Sequence, residues 1–237
     1  MKAMIFSAGL GTRFKPWTDH HPKALALVNG KPLLQRNIEY LQQFGITEVV
    51  VNVHHFADQI IDAIKQNNGW GSNVSISDEK DEVLETGGGL MKARQLLHGD
   101  TFLTINVDIL TDLNLHDFST KHFQEKALIS LAVTDRPTSR YFLFDQSNRL
   151  CGWRNKTTGE EKIVLQDELL IEKGYSGIAI FDAAVLDLVP FTGKFSLIDV
   201  YLALAGTNKI IGFDHTGNRF IDVGKPNSVF EAEKLFV

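Results

Sequence analysis

Two kinds of run alternate along the chain. Short blocks dense in apolar and β-branched residues stand at 3–6, 47–53 (TEVVVNV), 73–78 (NVSISD), 101–108 (TFLTINVD) and 127–135 (ALISLAVTD), and each reads as a strand. Between them apolar residues recur at helical spacing. Residues 32–45 open on proline and close on glycine, 57–69 are amphipathic with a glycine stop, and 90–97 form a third helical run. This alternation predicts an α/β fold, a mainly parallel sheet with helices on both faces. After residue 135 the rhythm changes. Residues 141–154 read as a hairpin turning at Ser147 and Asn148, 175–181 as a strand, 196–206 as a helix, 208–214 and 219–224 as two late strands, and 228–236 as a closing helix. That second part is expected to be a small β-rich subdomain built onto the sheet.

Bulk properties narrow the partners. The 237 residues carry 29 acidic and 24 basic side chains, a net charge of −5, so nothing draws the whole chain to nucleic acid or to an anionic membrane. A bound anion must be held by a local cluster. The single cysteine, Cys151, excludes an intrachain disulfide and suits a reducing cytoplasm, the expected location. The apolar start, Met4 to Ala8, is too short for a signal-peptide core, and no run approaches membrane-spanning length.

The local cation cluster lies in SAGLGTRFKPWTDHHPKAL, residues 7–25, directly after the first strand. Two glycines allow unusual backbone dihedrals and close approach of a ligand, while Arg13 and Lys23 supply charge. A polyphosphate cradle and a plain surface turn both fit those residues. The dinucleotide fingerprint fails, because Phe14 stands where its third glycine belongs. A P-loop fails at NGKPL, where Pro32 follows Lys31. The catalytic loop of a kinase is absent.

What remains, G-x-G-T-R followed by Pro22-Lys23, resembles the signature of the sugar-1-phosphate nucleotidyltransferases. The resemblance continues through GKPLLQRNIEYLQQFGITEVVVNV, ETGGGL, NVD and the late FIDVG, and so spans the chain. It implies one nucleotidyltransferase domain over 1–237, with 1–135 holding the nucleotide and 136–237 holding the sugar phosphate and closing the site. The implied reaction joins an NTP and a sugar 1-phosphate into an NDP-sugar, releasing pyrophosphate. VNVHH and LETGGG look most like members that use UTP and N-acetylmuramate 1-phosphate in cell-wall recycling.

A phosphate monoester is mostly dianionic at neutral pH, its second pKa being about 6. The nucleophile therefore needs little activation, and catalysis reduces to positioning and cation clamping. The family resemblance gives the residues their roles. Asp108 and Asp222, each at a strand end, would hold Mg2+. Arg13 would meet the β- and γ-phosphates, and Lys23 the α-phosphate and the sugar phosphate. Ala8, Gly9, Gly11, Thr12, Gly87 and Gly88 would offer backbone to the nucleotide, with Glu79 and Glu85 at the base edge. Asn106 would reach the ribose or the sugar, and Asn155 and Gly177 the sugar. Lys15 is expected to face solvent. His54 and His55 follow a strand directly, where neighbours point apart, so capping and packing are expected of them.

The alternatives are a mannose- or heptose-1-phosphate guanylyltransferase, a phosphocholine cytidylyltransferase caged by Tyr141, Phe142 and Trp153, and a silent nucleotide-sugar sensor. A monomer or small homo-oligomer is expected.

Overall fold

The computed structural model describes residues 1–237. In chain order its elements are β1 (Lys2–Phe6), β2 (Leu27–Val28), β3 (Lys31–Pro32), α1 (Leu33–Gln42), β4 (Glu48–Val53), α2 (Ala57–Gln66), β5 (Asn73–Asp78), α3 (Glu85–Lys92), α4 (Arg94–Leu97) and β6 (Phe102–Asn106). Then come β7 (Ile109–Thr111), α5 (Leu115–Glu125), β8 (Ile129–Thr134), β9 (Arg140–Phe144), β10 (Leu150–Asn155), β11 (Glu160–Ile163) and β12 (Ile171–Phe181). The chain ends with α6 (Val185–Leu188), α7 (Leu197–Ala205), β13 (Ile210–Asp214), β14 (Phe220–Asp222) and α8 (Asn227–Leu235).

Ten strands share one sheet, whose path runs β11-β10-β9-β12-β6-β1-β4-β5, with β8 and β13 branching from β12. Its first half is parallel: β1 pairs with β4 and β6, and β4 with β5. The chain steps outward from β1 to β4 and β5, then returns to the other side of β1 with β6. That reversal makes a switch point at the carboxyl ends of β1 and β6, where open α/β sheets collect ligands. The opening loop leaves β1 there, and Asp108 follows β6. The second half is antiparallel where β12 meets β6, β8 and β9, while β13 runs parallel to β8.

Both faces of the sheet are covered, which explains the near-continuous apolar strands. Along β1, Ala3 and Ile5 enter a core with α1, α2 and α5, while Met4 and Phe6 enter a second core with α3, α4 and α7. The same alternation runs through β4, where Val49, Val51 and Val53 take one face and Val50 the other. No helix is long and apolar enough to cross a membrane.

Three departures from the sequence reading have physical causes. The helix expected at 90–97 begins at Glu85 and runs through all three glycines before a break at Ala93. The positions are glycine because neighbouring groups come too close for a side chain. A Cβ on Gly87 would sit 2.4 Å from the Phe195 ring, and one on Gly88 2.3 Å from the Gly193 carbonyl oxygen. Helix α5 was not anticipated, although Asn114 caps it by accepting from the N–H groups of His116 and Asp117. Strand β12 starts four residues earlier than expected and bends at Gly177 (φ 73°), where its register with β8 shifts.

Candidate active site

The loop after β1 leaves a run of backbone N–H groups without protein acceptors. Ser7 N–H donates to Asn52 Oδ1 (2.7 Å), and the Gly11 carbonyl accepts from Phe14 N–H (2.7 Å) and Thr18 Oγ1 (2.9 Å). Between those anchors, the N–H groups from Ala8 to Arg13 donate to no protein acceptor. Gly11 is left-handed (φ 60°, ψ 30°), and a Cβ there would meet Thr18 Cγ2 at 2.8 Å. A short helical turn, Thr12–Phe14, follows and buries Phe14 in the core, which fixes where Arg13 begins.

Lys23 and Asp108 form a sheltered ion pair at the mouth of the sheet. Asp222 is brought beside them by the β7–β14 ladder, in which it faces Ile109, while Val223 N–H donates to the Asp108 carbonyl at 2.8 Å. Burial raises the Asp222 pKa, and the Asp108 charge raises it further; Lys23, Arg13 and Arg136 pull the other way. Its Oδ1 is buried without a hydrogen-bond donor. Gly224 explains the glycine of FIDVG: a Cβ there would lie 2.7 Å from Asp222 Oδ1 and 3.3 Å from Arg13 Nη1. The fold thus gathers Arg13, Lys23, Asp108 and Asp222 at one place.

The donor set has the character of a hard-cation site. It offers two adjacent carboxylates, one oxygen orphaned and no third histidine, cysteine or carboxylate, so phosphate oxygens and water would complete the shell. Asn37 on α1 supports it from behind. This buried amide donates to the carbonyls of Leu33 (3.0 Å) and Val107 (2.9 Å), the latter one residue before Asp108.

On one side of the loop after β1 lies a slot of about 90 Å3 lined by Phe6, Ala8, Gly9, Asn52, Glu79 and Glu85, among others. Glu85 is left-handed (φ 59°), an uncommon strain for a residue with a side chain. Glu79 is wholly buried. It accepts from Asn52 Nδ2 (2.7 Å) and Leu84 N–H (3.4 Å), and burial raises its pKa. Asn52 therefore ties the phosphate loop to the slot, and Glu79 is a positioning group rather than a free edge for a base. Gly87 and Gly88 are corrected likewise. Both donate to the Phe195 carbonyl, and their open faces are filled by protein, so packing rather than a flat ring explains them.

On the other side a cavity of about 600 Å3 runs from Arg13 and Asp222 past Arg136 and Arg140 to Trp153 and Ile198. Gly177 and Asn106 pack against each other, where a Cβ on Gly177 would come within 2.9 Å of Asn106 Nδ2; neither lines this cavity. Asn155 does not line this cavity. Its Oδ1 accepts from the N–H groups of Thr157 and Thr158, so it shapes the β10–β11 turn, a correction to its expected sugar contact. Two rings of the expected choline cage already have a lysine beside them: Lys156 lies 4.8 Å from the Tyr141 centroid and Lys162 5.9 Å from that of Trp153. His54 and His55 diverge, to Glu79 O (2.6 Å) and Thr18 O (3.4 Å). Lys15 faces solvent and pairs with Asp19.

Asn37, Asn52, Arg136 and Arg140 were missed in the sequence. The signal for the first two was a polar residue at a core position of an otherwise apolar helix face or strand.

Residues 2–236 match the family described as Nucleotidyl transferase. The chain belongs to that family. Over 99% of its length, this nucleotidyltransferase is 32% identical to the N-acetylmuramate alpha-1-phosphate uridylyltransferase of Neisseria meningitidis serogroup B, of which it covers 98%. It is 28% identical to the mannose-1-phosphate guanyltransferase beta-A of Xenopus laevis over 95% of its own length, spanning 62% of that relative. HddC from Yersinia pseudotuberculosis, solved in complex with GMP-PN, has the same fold at a TM-score of 0.80 and 25% identity, covering 100% of this chain and 99% of that one. The nucleotidyltransferase is an enzyme of the sugar-1-phosphate type.

Proposed function

We propose that the enzyme transfers a uridylyl group from UTP to N-acetylmuramate 1-phosphate, releasing pyrophosphate. The observation that carries the reading is the meeting of Lys23, Asp108 and Asp222 beside a nest of unpaired N–H groups, between a small slot and a sugar-sized cavity. The near-full-length likeness to the Neisseria relative supports the choice of base and sugar.

In this reading the triphosphate lies along the nest from Ala8 to Arg13, with the base in the slot. Arg13 neutralises the charge that grows on the departing pyrophosphate. Asp108 and Asp222 would hold Mg2+, which supplies charge neutralisation to the triphosphate when bound. Lys23, released from Asp108, turns to the phosphates and draws the two polyanions together. The sugar phosphate oxygen attacks the α-phosphorus as the bond to the β-phosphate oxygen breaks. No protein base is required, since the attacking oxygen is already ionised. Asn106 contacts the ribose or the sugar, and the backbone at Gly177 meets the hexose. The enzyme would act in the cytoplasm, as a monomer or small homo-oligomer.

A second reading, guanylyl transfer, draws on the likeness to HddC and to the Xenopus relative. Pyrophosphate release across four NTPs and a panel of sugar 1-phosphates separates the two. Fastest release with UTP and N-acetylmuramate 1-phosphate is the expected result. Preference for GTP selects the second reading, and no release with any pair leaves only a nucleotide-sugar sensor.

A further inference from the structure

The cavity beside Asp222 has a cationic wall that nucleotidyl transfer does not explain. Arg13 and Arg136 act on Asp222 and so belong to its phosphate end. Arg140 stands apart from them. It opens β9, facing Asn155 across the β9–β10 ladder, and lines the same cavity.

Other cations on these strands have acidic partners. Arg154 pairs with Glu161 and Glu172, Lys156 with Glu172, and Lys173 with Asp135 and Asp214. No acidic side chain pairs with Arg140. Its backbone is nevertheless held in place. Arg140 N–H donates to Thr138 Oγ1 (3.4 Å), Thr138 N–H to the Tyr141 hydroxyl (2.9 Å), and Arg136 Nη2 to the Tyr175 carbonyl (2.8 Å). The backbone here is therefore fixed, while the exposed guanidinium of Arg140 stays unmatched on a cavity wall that Thr138 and Ser139 also line. A guanidinium presents parallel N–H donors that match a carboxylate.

We propose that Arg140 forms a carboxylate subsite, which selects a sugar 1-phosphate carrying an acidic arm over its neutral counterpart. The inference rests on the reading above: the lactyl ether of N-acetylmuramate carries such an acid, remote from the reacting phosphate. Arg140 is then a specificity residue that takes no part in the transfer itself.

Steady-state kinetics with UTP, Mg2+ and two sugars test it. N-acetylmuramate 1-phosphate and N-acetylglucosamine 1-phosphate differ only in the lactyl arm. Arg140→Gln is expected to lower kcat/KM for the acidic sugar by about 10- to 100-fold, mainly through KM, as befits one lost charge-assisted contact. Turnover of the neutral sugar stays within about twofold because it has no carboxylate to lose, whereas a uniform structural defect would move both sugars together. Arg140→Lys recovers part of the loss. Equal loss on both sugars, or loss on neither, overturns the subsite and leaves the uridylyl reading standing. A wild-type enzyme that turns over only the neutral sugar overturns the substrate reading, and the subsite with it.

Discussion

At the phosphate end the groups that face a ligand are backbone N–H donors and a few charges delivered by β1, β6 and β14, whereas the sugar end is walled by side chains from the antiparallel β9, β10 and β12. The first end is organised by the sheet's switch point, and its residues have little freedom to change without unmaking the turn. The second is a hairpin surface whose side chains can vary while the ladder beneath them stays the same. In the proposed reading the transfer chemistry belongs to the first end and the choice of sugar to the second.

Four measurements break or sharpen that contrast. The largest effect is expected from Asp108→Asn, which should lower kcat about a thousandfold in a pyrophosphate-release assay while nucleotide still binds. A loss under tenfold would mean that the phosphate end does not carry the chemistry.

Next is pH. Both buried histidines pack against β8 and β12: His122, on α5, is hydrogen-bonded to Ser130 (2.8 Å) on β8, and His215 to Ser176 (2.7 Å) on β12. Burial lowers both, His122 to about 4. The unfolded chain takes up these protons first, near pH 6.5, so stability is full above that value and declines as pH falls towards 4. For His122 the loss amounts to about 2–3 kcal/mol, readable as a falling urea midpoint. Hydrogen exchange in acid should open β8 and β12 before β1 and β4. The reverse order would contradict the assignment of acid lability to β8 and β12.

Gly87→Ala follows, since its Cβ would collide with the Phe195 ring. It should cost about 1–3 kcal/mol of stability and leave the KM for nucleotide within about twofold. A variant as stable as the wild type would restore the glycine to the base slot.

Smallest is Asn37→Leu, which leaves the Val107 carbonyl unpaired at about 1–3 kcal/mol. It should also reduce kcat several-fold more than KM rises, through Asp108. Equal changes in both would make Asn37 a packing residue alone.

Legibility in the sequence follows the same contrast. Most of the parallel half was readable because its inner strands β1, β4 and β6 are apolar on both faces and α1 ends in a glycine stop at Gly45. The strand-end aspartates could be read because family spacing marks them. The roles of Gly87, Glu79 and Asn155 were not readable, because each depends on a neighbour distant in sequence: Phe195, Asn52 and the β10–β11 turn. Arg140 carries no local signal at all. Its meaning comes from the acids that are matched to other cations.

The β7–β14 ladder has a consequence for biosynthesis. A chain emerging from the ribosome makes its phosphate loop first and its second carboxylate almost last. Until β14 zips onto β7, Asp108 has Lys23 as its only charged companion. In the proposed reading the two carboxylates that would share a cation therefore come together only when synthesis is nearly finished.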